Sequence, residues 1–523
     1  MPNTINRRRW LARAAAFSVL TSRKSFGYPA PARRITIHPD MEAGLIRPEL
    51  HGHFAEHLGS CIYGGLWVGK NSPLADAHGF RKQAVQYLKE LGVPVLRWPG
   101  GCFADDYHWR DGIGPQAKRP KRVNIWWGDS TEDNSFGTHE FVALCRAIGA
   151  EPYFAGNLGS GTPQEFRDWV EYCNYPSGSA LSDERIANGA PEPFRVRYWG
   201  VGNENWGCGG AMTPEEYCAL YRRFSTYIRP FGGTQPYLIA CGPNSNDLEW
   251  SRRFLRSLED AKHGRRPDGF AMHFYSSGKN TPQAYTVENM REQLASFARM
   301  EQAVLQQRAL LDSYDPQRKI GLLIDEWGVW DRMIPDEEKR LGRLFQQNTI
   351  RSAVAAMLGL NVFHRQAGKL VMCNIAQTVN VLHAMLLTER DRCIRTPSYY
   401  AFQMAAPHRG QTAVHVETKD TSPLAASVAA SRRSNRIVLT LANPSHDAGV
   451  KLECVLAGWR ALSAQARLLH HEDFNAANTF DQPDRVVPRS YPVSSSGAML
   501  AVDLPPMSAA SILIVAQERA AAS

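Results

Sequence analysis

Two glutamates in this chain stand where chemistry is expected. Each closes a short apolar run: Glu204 in VRYWGVGNEN (196–205) and Glu326 in IGLLIDEWG (320–328). A carboxylate on an apolar strand end is costly to bury, so either an ion pair or a catalytic task must hold it there. For one such acid alone, the structural ion pair is the simpler explanation. Two of them, one preceded by Asn203 and the other followed by Trp327, fit a particular reaction. Cleaving a glycosidic bond with retention needs two carboxyl groups about 5–5.5 Å apart, one protonated to assist the leaving group and one ionised to attack the anomeric carbon.

A competing candidate is the pair His51 and His53 at the start of HGHFAEHLG (51–59). That spacing puts both imidazoles on one side of a strand, as metal-dependent barrel hydrolases require. Such a site also takes ligands from later strands, and YLIACGP (237–243) has no His while LVMCNIAQ (370–377) has no Asp. A packed or hydrogen-bonded pair is the expectation, with no metal and no cofactor. The glycines of GVGNENWGCGG and RWPGGC follow no phosphate-loop or dinucleotide pattern and suit tight turns.

The elements that must carry these residues alternate regularly. Strand candidates fall at 51–59, 93–100, 151–159, 196–205, 237–243, 269–276, 320–328 and 370–377, with helical stretches between them, for example 81–91, 214–229 and 339–360. Eight strand–helix units in one run predict an α/β fold, a (β/α)8 TIM barrel, whose chemistry sits at the C-terminal ends of the strands. Beyond about Cys393 the pattern becomes short runs between turn residues, such as ASVAASRRSNRIVLTLANPS, predicting a C-terminal all-β sandwich. The expected division is a leader over 1–34, a strand over 35–47 joining the β domain, the barrel over 48–390 and the sandwich over 391–523.

Bulk properties narrow the function classes. The chain has 523 residues, 43% hydrophobic, and a net charge of +9; its mean hydropathy is −0.37. No apolar run is long enough to span a bilayer, so no membrane partner is expected. The charge invites a nucleic-acid reading, but residues 1–34 hold eight cations and no acid, leaving +1 for the rest. A near-neutral body lacks the basic stripe that phosphate binding requires. The leader itself, with NRRRWLARAAAFSVL, resembles a twin-arginine export signal, although Arg13 interrupts the apolar stretch. Export to the periplasm or medium is the expectation, a basic tail on a cytoplasmic protein the alternative. Ten cysteines without a CxxC pair indicate neither a zinc framework nor a dense disulfide scaffold.

The segments GHFAEHLGSCIYGGLWVG, LRWPGGCFADDYHWRDGIGP, GVGNENWGCGG, HFYS, IDEWGVW and NIAQTVNVL, in that order from about residue 51 to 382, together resemble the family-51 glycoside hydrolases, the α-L-arabinofuranosidases. The resemblance implies a double displacement in which Glu204 is the general acid/base and Glu326 the nucleophile. It implies that Asn203 binds the sugar 2-hydroxyl, that Glu56 and Gln377 bind furanose hydroxyls, and that His273 and Tyr275 orient the nucleophile and the sugar. Many family members have Asn after the two glycines of the second-strand motif. Here that position is Cys102, which puts one sugar contact in question.

Trp109, Trp126 and Trp127 follow the second strand, and Trp206 and Trp327 adjoin the two acids. Their faces could stack on sugar rings, or serve packing alone. Trp327 is the first choice as a site member because it follows Glu326. The leading expectation is exo-acting release of terminal α-L-arabinofuranosyl residues from arabinoxylan, arabinan or their oligosaccharides. The alternatives are the same mechanism on β-xylosides or β-glucans, or a catalytically impaired carbohydrate-binding barrel. The resemblance also admits a homo-oligomer, though no interface can be read from the residues.

Overall fold

The computed structural model describes residues 33–519. The export-like leader therefore lies, up to residue 32, outside the described residues.

Eight parallel strands close into a barrel in sequential order. Strand β1 (Arg33–Leu45) precedes it; the barrel strands are β2 (Gly52–Phe54), β3 (Val95–Trp98), β4 (Glu151–Gly156), β5 (Tyr198–Val201), β6 (Tyr237–Asn244), β7 (Gly269–Ser277), β8 (Gly321–Trp330) and β9 (Leu370–Ala376). Each falls within a few residues of a run read from the sequence, because strands buried on both faces are nearly continuously apolar.

Inside the barrel, Val95, Tyr153, Tyr198, Ile239, Ala271, Leu323 and Met372 form a packed layer, one residue from each of seven strands. The eighth strand contributes Gly52, where a Cβ would stand 2.2 Å from the Asn374 side-chain oxygen. This plug closes the lower barrel, so function is confined to the strand C-termini. A larger apolar shell, including Trp98, Phe141, Phe154 and Trp169, fills the space between strands and helices.

The helical stretch expected over 339–360 is two helices, Pro335–Leu341 and Ile350–Arg365. The break follows Gly342 (φ +108°), beyond which Gln346 hydrogen-bonds to Asn380 in the loop after β9. Tertiary pairing overrides helical propensity there.

The β domain has ten strands hydrogen-bonded in one continuous order. β1 lies between Thr412–Thr418, antiparallel to it, and Val450–Leu456, parallel to it. The sheet curls around its own core of Ile35, Ile37, Leu439, Leu452, Leu500, Ile512 and neighbours. A hairpin (Leu386–Glu389 with Arg392–Arg395) and the helix Pro397–Ala405 lie between barrel and sheet.

Candidate active site

The site is assembled at the C-terminal ends of the strands. On β7, Ala271 points into the barrel, so alternation also turns His273 and Tyr275 inward. On β8, Leu323 points inward, and strict alternation would send Asp325 inward and Glu326 out. A register shift between Ile324 and Glu326, where Glu326 pairs with His273, resolves this. The bulge turns both acids to the interior, a recognised use of an extra strand residue next to active sites. Trp327 then faces outward. It is fully buried, edge-on to Phe363 at 4.8 Å and stacked near Phe402. The expectation that Trp327 lines the sugar site is corrected: following an inward residue on a strand places it in the outer packing shell.

Glu204 lies just past β5, where the backbone turns sharply. Its φ is +43°, a left-handed conformation that costs a non-glycine residue roughly 1–2 kcal/mol and must be held by its surroundings. An oxygen of Glu204, an oxygen of Glu326 and a ring nitrogen of His273 all lie within 4.8 Å of one another. His273 Nδ1 is 2.9 Å from Glu204 Oε1 and 3.6 Å from Glu326 Oε2.

Glu326 is enclosed by donors. Tyr275 donates its hydroxyl to Oε2 (2.7 Å), and Arg97 donates Nη1 to Oε1 (2.8 Å). Burial alone would push its carboxyl up. The charges of His273 and Arg97 and the two hydrogen bonds outweigh that and hold it below the usual carboxylate range. His273 goes the other way: burial opposes its charged form, but Glu326 and Glu204 raise it above the ordinary imidazole value. Arg97 also donates Nη2 to Asn203 Oδ1 (2.5 Å), linking Glu326 to the residue before Glu204. Beneath, Asp325 accepts from Tyr153 (2.5 Å) and Asn374 (3.3 Å).

Glu56, just past β2, accepts from the Phe103 amide (3.1 Å), the Trp127 indole (2.9 Å) and Gln377 (3.0 Å). Burial and the charge of Glu326 raise its carboxyl to about 7 despite these donors. Gly101 is required beside it, since a Cβ would sit 2.5 Å from Glu56 Oε1. Glu56, Cys102, Glu204, Tyr275, Glu326 and Gln377 line one cavity of about 810 Å³, along with Trp127, Trp206 and Trp330. Of the other tryptophans, Trp109 is buried against Trp169, and Trp126 is exposed on the hairpin that carries Trp127.

Cys102 is bonded to Cys208, and the eight other cysteines are free and buried. The bridge sulfurs lie 3.9 and 3.5 Å from Glu204 Oε2. Sequence reading missed Cys208, as well as Arg97 and Asp105. The one available signal was the short step from Glu204 to Cys208 within GVGNENWGCGG. His51 and His53 face away from the site. His51 Nε2 meets His364 Nε2 at 2.9 Å, His53 packs on Phe402, and burial lowers His53 to about 3.

Two family models match the chain: the "Alpha-L-arabinofuranosidase 1 domain" over residues 87–292 and the "Alpha-L-arabinofuranosidase C-terminal domain" over 325–508. An intracellular exo-α-L-arabinofuranosidase of Bacteroides ovatus is 41% identical over 471 residues, covering 87% of this chain and 90% of that one. Among solved structures, the GH51 arabinofuranosidase of Xanthomonas axonopodis pv. citri superposes with a TM-score of 0.88 at 35% identity, covering 92% of this chain and 99% of the other. The α-L-arabinofuranosidase of Thermotoga maritima in an arabinose complex gives 0.82 at 30% identity, with 92% and 99% covered.

Proposed function

We propose, for a chain that belongs to the family-51 α-L-arabinofuranosidases and is an exo-acting α-L-arabinofuranosidase, that Glu326 is the nucleophile and Glu204 the general acid/base. The observation that carries this is the separation of the two carboxylates. An oxygen of each lies within 4.8 Å of the other, which favours the about 5–5.5 Å spacing of a retaining pair over the about 6.5–9.5 Å at which an inverting pair accommodates a water.

Glu326, ionised and fixed by Arg97 and Tyr275, attacks the anomeric carbon while Glu204 gives its proton to the departing oxygen. Once the glycosyl ester forms, the negative charge on Glu326 is consumed. His273 then faces the newly ionised Glu204 in place of an ionised Glu326, and Glu204 takes a proton from the incoming water. Arg97 engages the side-chain oxygen Oδ1 of Asn203 and leaves its side-chain nitrogen Nδ2 without a protein partner among the described residues, free to donate to the sugar 2-hydroxyl. Glu56 and Gln377, held against each other in the same cavity, are suited to the remaining furanose hydroxyls. Trp206 and Trp330 offer apolar faces to the leaving portion of arabinoxylan, arabinan or a derived oligosaccharide.

The test is turnover of an aryl α-L-arabinofuranoside against the β-xyloside and β-glucoside, for wild type and Glu326→Ala. Preference for the arabinofuranoside, lost in the variant, is expected. Comparable turnover by the variant would overturn the mechanism, and preference for another sugar would overturn the substrate.

We also propose that the enzyme is exported. The arginine-led leader and a disulfide beside Glu204 both suit an oxidising compartment. Fractionation of cells producing the wild type and an Arg8→Lys/Arg9→Lys form tests this: wild type outside the cytoplasm and the variant retained is expected, and cytoplasmic wild type would refute it.

A further inference from the structure

Asp105 is a buried acid, hydrogen-bonded at both oxygens, that the mechanism does not use. It lies in the turn after β3, buried, and its two oxygens accept from two loops. Oδ1 takes the amides of Leu158 (2.7 Å) and Gly159 (2.8 Å) past β4; Oδ2 takes the amide of Asn203 (2.8 Å) and, at 3.4 Å, the side-chain nitrogen of Asn205 past β5. Asn203 and Asn205 flank Glu204, whose backbone is in the left-handed region. Asn205 passes the connection on by donating to the Gly209 carbonyl (2.7 Å), and the amides of Gly207 and Gly209 return to the Glu204 carbonyl. Gly209 has no room for a side chain there, since a Cβ would stand 2.5 Å from Asp105 Oδ2. Cys208, in the same turn, is tied by its disulfide to Cys102, three residues before Asp105.

We propose that Asp105 is the positioning residue for the acid/base: its carboxylate holds the strained Asn203–Glu204–Asn205 turn and so fixes where the Glu204 side chain points. Only an acceptor at both oxygens can do this, because every group facing them is a donor. Burial works against the charge that makes it a strong acceptor, pushing the carboxyl to about 7, while the backbone amides pull it back. An amide in its place would turn an NH2 toward one set of N–H groups and release either the Leu158–Gly159 loop or the Glu204 turn.

This inference rests on Glu204 being the acid/base, and the experiment separates the two claims. Aryl α-L-arabinofuranosides of good and poor leaving-group ability are compared for wild type, Asp105→Asn, Asn205→Ala and Glu204→Ala, each checked for folding by thermal unfolding. A displaced acid matters most when the leaving group needs its proton. For Asp105→Asn, kcat/KM is expected to fall about 10²-fold on the poor leaving group, less than about 10-fold on the good one, with azide accelerating turnover of the latter. Asn205→Ala removes one brace and is expected to show the same bias at smaller size, which decides the matter if Asp105→Asn does not fold. A folded variant losing equally on both substrates, while Glu204→Ala shows the bias, would overturn the role of Asp105. If Glu204→Ala shows no bias either, the assignment of Glu204 itself fails.

Discussion

Arg97 and Glu326 form an ion pair across the barrel mouth, Nη1 to Oε1 at 2.8 Å, from strands that are not neighbours in the sheet. Both side chains are almost wholly buried. The guanidinium fork serves a second partner, Asn203, that a lysine ammonium could not reach in the same geometry.

Arg97→Lys is therefore expected to fold and to lose at least 10²-fold in kcat, because Glu326, the proposed nucleophile, and Asn203, the proposed 2-hydroxyl contact, are no longer set together. Arg97→Ala leaves the buried Asp325 and Glu326 with only His273 as counter-charge and should cost about 3–5 kcal/mol of stability. Steady-state kinetics and denaturant unfolding of the two variants check this. Wild-type kcat in Arg97→Lys would show that the fork is dispensable.

The Cys102–Cys208 bridge closes a long loop, 106 residues apart in sequence, and forms a wall beside Glu204. Cys208→Ser is expected to lower unfolding stability by about 2–4 kcal/mol. Because the lost wall touches Glu204, the proposed acid/base, the variant should also lose activity more on poor leaving groups than on good ones. Incubation of the wild type with a dithiol reductant, followed by the same assay, should reproduce the effect, and the Cys208→Ser form should be insensitive to reductant. Equal sensitivity in both forms would place the redox effect elsewhere.

Glu56 carries a pH signature. Its folded-state carboxyl is raised to about 7, so the folded protein holds a proton there that the unfolded chain has released. The sign follows from linkage: this group lowers stability as pH climbs from the ordinary carboxylate value to about 7, and the loss is complete above it. Glu56→Gln removes the titration. The stability of Glu56→Gln relative to wild type should thus improve steadily from pH 4.5 to pH 7. Thermal unfolding across that range measures it, and a constant difference would show that Glu56 titrates normally.

Much of this was legible in the residues. The eight barrel strands could be read because buried parallel strands are uninterrupted apolar runs, and Glu204 and Glu326 stood out as acids at their ends. Where the reading failed, the cause was a feature with no local signature. Trp327 was placed by adjacency, but the bulge before Glu326 sends the next side chain outward. Arg97 looked like an ordinary residue before a Pro-Gly-Gly turn, since only closure of the barrel brings it opposite Glu326. Cys102 and Cys208 could not be paired from spacing, because the pairing depends on two loops meeting above separate strands. Asp105 acts through backbone amides of two loops, and backbone amides carry no sequence identity at all.

The claim on which the rest depends is that a covalent sugar ester forms on Glu326. Glu204→Ala, given an aryl α-L-arabinofuranoside whose leaving group departs without a proton, should accumulate that ester because no base remains to activate water. Mass spectrometry of a rapid proteolytic digest should find one pentosyl group, on the peptide containing Glu326. A pentosyl group on any other residue, or product of inverted configuration with no adduct, would contradict the account.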